Sequence, residues 1–291
     1  MITVIITAFK EPKTIGKAIE AVERQNIGEH ETLVVAPDEE TLVEAYKMKR
    51  YFKSVKTLKD YGNGKSAALN LAISKARGEV LILTDGDVSV GENSLVFLLE
   101  KMRNQKVGAV SGRPVSVDSK KTMYGFWAYL LTGIAHNRRM RALKTKRRFF
   151  CSGYLFAIRK NLFPKLPEQL LSEDGFISHG VYSKGYKIEY AEKAKVYVRY
   201  PDNFSDWIKQ KKRSAGGYNQ IRGMIGVEIR SAKKEWLGGF EFFKYVHGLK
   251  EVWWLVLLFL SRIYLWGVIY KDVNIKKKKR EELWERVEST K

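Results

Sequence analysis

The chain has 291 residues, enough for one large α/β domain with a C-terminal appendage or for two smaller domains. Hydrophobic residues make up 45% of it, which excludes a disordered chain, and neither a repeat nor a Gly/Ser- or Pro-rich linker interrupts it. Lys and Arg outnumber Asp and Glu by 53 to 32, and the formal charge of +21 favours anionic partners: nucleic acid, acidic lipid headgroups or phosphorylated substrates.

Residues 2–8 read as a strand; the start lacks a basic leader and meets Lys10 and Glu11 too soon for a signal peptide. A polar turn with Pro12 follows. Thr14 can cap a helix whose apolar positions Ile15, Ala18, Ile19 and Val22 share a face. Residues 32–36 read as a strand and 39–49 as a helix. Residues 65–76 are helical, with Ala68, Leu71 and Ala72 on one side. Residues 80–84 form a strand without polar alternation, as expected when both faces are covered. A helix over 93–103 and a strand over 107–111 follow. This alternation predicts a mostly parallel sheet with helices on both faces, and ligands at the carboxyl ends of its strands.

The second half is less regular. Residues 124–135 are apolar and aromatic and run into a basic segment: Arg138, Arg139, Arg141, Lys144, Lys146, Arg147 and Arg148. A strand is expected over 149–158, a helix over 173–183, mixed strand over 187–200 and a basic helix over 204–220. Residues 252–270 are nearly all apolar, and 276–280 are five positive charges in a row.

Several groups can carry chemistry. Asp85-Gly86-Asp87 closes the strand 80–84, and two carboxylates there suit a divalent cation that shares its shell with substrate phosphates. The same residues also suit a plain Asp-Gly turn. Gly62-Asn63-Gly64-Lys65 opens the preceding helix, which suits a phosphate or nucleotide, or simply a flexible turn. It is not a Walker A motif, whose first glycine would fall at Lys59. In Ser172-Glu173-Asp174 a carboxylate can accept a proton from an attacking hydroxyl, or can merely complement a helix N-terminus. Gln210 and Arg213 share a helix face and can grip a diphosphate or sugar hydroxyls; a solvated basic face is the alternative. Cys151 is the lone cysteine, so an intrachain disulfide is excluded and a reducing compartment expected. His30, His136, His179 and His247 have no zinc-site spacing.

Taken in order, these pieces resemble the family 2 glycosyltransferases with the GT-A fold. The likeness runs from Ile5-Ile6-Thr7-Ala8-Phe9-Lys10-Glu11 through Gly64-Lys65-Ser66-Ala67-Ala68-Leu69-Asn70 and the Asp-Gly-Asp. It continues through Cys151-Ser152-Gly153-Tyr154, the Glu-Asp pair and Gly185-Tyr186, and ends near Arg213. The late pieces are nearest the polysaccharide-synthase-like branch, with its Ser-Glu-Asp and Q-x-x-R motifs, although Ser214 stands where that branch has Trp. The resemblance implies an α/β GT-A catalytic domain over 1–220, a mixed sheet flanked by helices, and a helical membrane-associating region over 221–291. It implies an inverting transfer from a nucleotide sugar, UDP-linked in preference, to a glycan or lipid-linked acceptor. Asp174 would be the catalytic base. Ala8, Phe9, Glu11, Asp38, Lys65 and Asp85 would bind the donor. Glu173, Gln210 and Arg213 would serve the diphosphate and acceptor, and Asp85 and Asp87 would hold Mg²⁺ or Mn²⁺.

The apolar segment 252–270 is long enough to span a bilayer, but Arg262 near its middle makes insertion costly. Nucleotide sugars are cytosolic, and a single crossing would put the 276–280 charges on the far side, against the positive-inside tendency. A helix in the interface, facing anionic headgroups on the cytosolic side, avoids that conflict; a buried helix is the alternative. Three rival functions remain open here. A nucleotidyltransferase could share the fold but would form nucleotide sugars rather than consume them. A polyprenyl-phosphate glycosyltransferase would not need the base. A nucleic-acid-binding protein is permitted by the charge, but no reading motif is present and nucleic acid is not expected as a partner.

Overall fold

A computed structural model describes residues 1–168, 170–225, 239–271, 287 and 289–290; the basic run at 276–280 lies outside them. The strands are β1 (Ile2–Thr7), β2 (His30–Ala36), β3 (Val55–Lys59), β4 (Val80–Asp85), β5 (Ser89–Val90), β6 (Val107–Ser116), β7 (Leu155–Arg159) and β8 (Lys187–Val198). They join one sheet in the order β3-β2-β1-β4-β7-β6-β8-β5. Pairing is parallel from β3 to β4. Beyond β4 it turns antiparallel, with β7 between β4 and β6, and β5 against β8. The sheet is therefore mixed, as the resemblance implied, and not mostly parallel as strand–helix alternation suggested. That alternation describes the first half well. The long excursion between β6 and β7 brings the chain back in the opposite direction, which antiparallel pairing accepts without a crossover helix.

The helices are α1 (Ile15–Glu23), α2 (Glu39–Met48), α3 (Lys65–Lys75), α4 (Ser94–Met102), α5 (Met123–Lys144), α6 (Glu173–Ser183), α7 (Phe204–Ile225) and α8 (Leu249–Tyr270). The chain forms two compact units. The first takes residues 1–115 and 138–198; the second takes 116–137 and 199–290. The expected boundary at residue 220 falls within α7, inside the second unit.

In the first unit, residues of β1, β2, β4 and β7 on one side of the sheet face one core. Ile5, Leu33, Val35, Leu81, Leu83, Phe156 and Ile158 meet Leu69 and Ala72 of α3 and Ile177 and Val181 of α6. Burying one such side chain stabilises the fold by about 1.5–3 kcal/mol. This shared core places α3 and α6 on one face of the sheet. Leu69, not Leu71, completes the buried side of α3. On α1 the four expected apolar residues are all buried, but Thr14 makes no side-chain cap bond; its hydroxyl donates to the Glu11 carbonyl at 3.4 Å.

In the second unit, Phe126, Trp127, Leu130 and Ile134 of α5 pack with Trp207 of α7 and with Phe242, Leu255 and Leu258. The Trp127 indole N–H donates to the Trp254 carbonyl at 2.8 Å, which satisfies the polar end of a buried ring. One face of α8 is buried through Leu255, Leu258, Leu265 and Ile269. The apolar and aromatic residues Leu249, Val252, Trp253, Val256, Leu260, Ile263, Tyr264 and Tyr270 are exposed, with Lys250 also exposed in the first turn.

Candidate active site

Parallel pairing of β1 with β4 makes Thr7 and Asp85 register partners at the carboxyl ends of both strands. The Thr7 hydroxyl donates to Asp85 Oδ1 at 3.1 Å, and the Gly86 N–H donates to the Thr7 carbonyl at 2.9 Å. Gly86 is required by crowding. A Cβ there would stand 2.5 Å from Glu11 Oε2 and 2.8 Å from Ala8 Cβ. Ala8, Glu11 and the Asp85-Gly86-Asp87 turn thus share one wall. Phe9 lies beside them and is exposed.

The Gly-rich turn delivers Lys65 to this wall. Gly62 and Gly64 have φ of +73° and +89°, values that strain other residues, and Gly64 leads directly into α3. The Lys65 ammonium lies 2.5 Å from Asp85 Oδ1 and 2.9 Å from Glu173 Oε1. Burial opposes its charge, but the Asp85 and Glu173 carboxylates together raise its pKa above the ordinary lysine value. Ser66, in the same first turn of α3, is buried with its hydroxyl lacking a hydrogen-bond partner among the described residues. Such an orphaned group beside a helix N-terminus fits an incoming anion.

Asp174 sits next to Glu173 in the first turn of α6. Ser172 precedes the helix but does not cap it. Its hydroxyl instead donates to Asp174 Oδ1 at 2.6 Å, and the Gly175 N–H donates to the same oxygen at 2.8 Å. Oδ2 faces Gly153, where a Cβ would approach to 3.6 Å. Burial and the neighbouring Glu173 charge raise the Asp174 pKa, against the pull of its two donors and Lys65. A carboxylate so placed is a better proton acceptor than an exposed one.

Asp38 is engaged in holding the backbone. It caps α2 by accepting from the Thr41 N–H at 3.0 Å and the Thr41 hydroxyl at 2.5 Å, and it accepts from the Lys10 N–H at 2.7 Å. Burial opposes ionisation, but these donors lower its pKa. Lys10 has φ of +53°, and the Glu11 N–H donates to the Thr41 hydroxyl at 2.8 Å, so Asp38 and Thr41 fix the loop that carries Ala8, Phe9 and Glu11. Asp60, which directly follows β3, is a site neighbour that local sequence pattern does not mark. It is buried, binds the Gly62 N–H at 2.6 Å, and has a raised pKa from burial and from the nearby Asp38 charge. Thr7 and Ser172 stand in the sequence motifs, but that they hold Asp85 and Asp174 by hydrogen bonds is seen only in the fold.

Ala8, Glu11, Lys65, Asp85, Glu173 and Asp174 therefore meet within the first unit, with Asp87 half-buried on the same turn. Gln210 and Arg213 lie on α7 in the second unit, both half-buried, and the Gln210 side-chain oxygen has no hydrogen-bond partner among the described residues.

No group of three or more His, Cys, Asp or Glu among the described residues is placed to hold a metal ion unaided. A hard cation such as Mg²⁺ needs one or two carboxylates when substrate phosphates and water supply the rest. The oxygen donors of Asp85 and Asp87 fit that requirement, for an ion arriving with its phosphate ligand.

Comparison with known proteins matches this frame. Residues 1–217 match the family model described as glycosyltransferase like family 2. The chain is 28% identical over 168 residues to a probable glycosyltransferase, YdaM, of Bacillus subtilis, covering 55% of this chain and 39% of that protein. It is 22% identical over 232 residues to a poly-beta-1,6-N-acetyl-D-glucosamine synthase of Staphylococcus aureus, covering 76% of this chain and 55% of that one. The chain thus spans about half the length or less of these relatives. Since the family match takes in every strand of the sheet and all the site residues assembled above, the chain belongs to the glycosyltransferase family 2.

Proposed function

We propose that this chain is an inverting glycosyltransferase, moving a sugar from a nucleoside diphosphate sugar, UDP-linked in preference, to a hydroxyl of a glycan or lipid-linked acceptor. The observation that carries this reading is the line Asp85–Lys65–Glu173–Asp174. It joins the paired carboxylates at the strand ends to a half-buried carboxylate of raised pKa through one ammonium. The similarity to a named polysaccharide synthase supports a glycan as acceptor.

In this mechanism Asp174 Oδ2 takes the proton of the acceptor hydroxyl, while Ser172 and Gly175 hold Oδ1. The acceptor oxygen bonds to the anomeric carbon, and the bond to the phosphate oxygen breaks on the opposite face, its electron pair leaving with the nucleoside diphosphate. Asp87, with Asp85, would hold Mg²⁺ or Mn²⁺, which supplies positive charge against the leaving diphosphate. Ala8, Phe9 and Glu11 would line the base and ribose, with Asp38 as a nucleobase contact or as the support of their loop. Gln210 and Arg213 would steady the diphosphate and acceptor.

We further read residues 221–291 as membrane-associating, in a peripheral or monotopic manner, on the cytosolic face where nucleotide sugars are found. The exposed stripe of α8 supports this, since contiguous apolar surface of that length is unusual on a protein bathed in water alone. The deciding experiment for the enzyme reading is to screen nucleotide sugars with Mg²⁺ or Mn²⁺ and then measure donor affinity and transfer on Asp174→Asn. Retained affinity with lost transfer is expected; normal transfer refutes the base.

A further inference from the structure

Between Asp118 and Glu168 the sequence has no acidic residue, and seven of the eleven positions from Arg138 to Arg148 are Lys or Arg. The fold fastens the end of this segment onto α6. The Phe149 N–H donates to the Tyr182 phenol oxygen at 3.1 Å, and the Tyr182 hydroxyl donates back to the Phe149 carbonyl at 2.9 Å. The Cys151 N–H donates to Ser178 Oγ at 2.9 Å, and Ser178 in turn donates to the Asp174 carbonyl at 2.6 Å. Gly153 then lies against the Asp174 carboxylate. One continuous stretch, 148–153, therefore leads from the basic segment to the proposed base.

Two arginines are set on aromatic platforms along this path. The Arg148 guanidinium lies 5.1 Å from the Tyr182 ring centre, and that of Arg139 lies 5.8 Å from the ring of Tyr190. Tyr190 is fully buried and braced edge-on by Phe149, so its ring is a rigid support. Neither arginine pairs with a carboxylate among the described residues. Arg139 is near enough to the buried Cys151 thiol for its charge to act there, as the Asp174 charge also does. A guanidinium placed over an aromatic ring, with no carboxylate on it, keeps N–H donors available for a phosphate.

We propose that Arg139 and Arg148 form an anion site on the acceptor side of Asp174, and that the acceptor presents a phosphate or diphosphate there. The inference rests on reading Asp174 as the acceptor base, and adds the charge of the acceptor. From Asp174 to Tyr182 is about 12 Å along α6, so the phosphate is set back from the accepting hydroxyl by a short glycan. Its source is either a phosphate carried by the glycan or the diphosphate that joins a glycan to a lipid.

The test is calorimetry on the full chain with EDTA, so that metal-bridged binding at the donor subsite does not contribute. The probes are inorganic pyrophosphate, glucose 1-phosphate and farnesyl diphosphate. Wild type is expected to bind at least one, and Arg148→Gln and Arg139→Gln to weaken it about tenfold or more, the scale of a charge-assisted contact. Arg139→Lys should fall between. Tightest binding of farnesyl diphosphate assigns the lipid-linked source; tightest binding of glucose 1-phosphate assigns the phosphorylated glycan. No binding by wild type, or affinities within twofold in the variants, overturns the site. Arg148 is exposed, so its variant decides even if Arg139→Gln misfolds. Asp174→Asn should bind the probes as wild type does, which separates failure of this site from failure of the base.

Discussion

Replacing Asp174 by Asn tests the proposed chemistry most directly, because the structure forecasts activity and stability separately. Asp174 Oδ1 accepts from Ser172 and Gly175, and the Asn carbonyl oxygen can accept both bonds unchanged. The amide nitrogen then replaces Oδ2, and it donates where a proton must be accepted. Loss of a general base lowers transfer by roughly 10²–10⁴-fold, or about 2.7–5.5 kcal/mol of barrier. Stability should move the other way. Burial and the Glu173 charge raise the folded pKa, so above the unfolded pKa the ionised carboxylate destabilises the fold, and the penalty fades as pH falls. Asn removes that penalty and forfeits about 0.3–1 kcal/mol of favourable charge at the helix N-terminus. The melting temperature should therefore hold or rise. In wild type the acid limb of transfer should lie above the ordinary Asp range. Steady-state transfer, donor calorimetry and a thermal melt on one preparation are sufficient. Near-normal transfer refutes the base assignment; collapse of donor affinity moves the carboxylate into the donor site, with Glu173 next in line as base.

Three further outcomes are expected. Asp87→Ala should abolish metal-dependent donor affinity and Asp85→Ala should weaken it, by calorimetry with and without Mn²⁺; unchanged affinity in both removes the metal assignment. Buried Glu31 accepts from Thr3, the Arg77 N–H and side chain, and Lys56, and although burial opposes this its pKa is lowered from 4.5 to about 2. Its contribution, at most about 3 kcal/mol, should be complete above pH 4.5 and lost as pH falls towards 2; urea titrations of wild type and Glu31→Gln should converge at low pH, and parallel curves would refute the network. Trp253 and Leu260, 60% and 55% exposed, tolerate charge without disturbing the core, so Trp253→Glu with Leu260→Glu should abolish flotation with anionic liposomes while the melt is unchanged. Retained flotation would argue against the stripe as the anchor.

Periodicity and punctuation in the sequence determined much of this protein. The buried face of α1, the strand ending in Asp85, and α6 from Glu173 to Ser183 could all be read from local residues, because each buries a side whose apolar spacing repeats. The order of motifs likewise led to the family. Tertiary structure decided what local pattern does not encode. Residues 149–153 read as strand from their apolar, β-prone composition, yet they bond to Tyr182 and Ser178 of α6, and only Leu155–Arg159 joins the sheet. β3 was invisible because its partly exposed lysines, Lys56 and Lys59, break the apolar run, while pairing with β2 holds it in place. Asp38 caps α2 through a local bond from Thr41, but its second bond, from the Lys10 N–H across 28 residues, exists only because the loop after β1 folds back towards α2. The Gly-rich turn marks Lys65 as a donor-binding candidate, while its counter-charges follow from the shared core of α3 and α6, which brings Glu173 beside Asp85 so that the ammonium pairs with both. A hydrogen-bond partner or counter-charge depends on which chain segments the core draws together, and that is a property of the assembled fold.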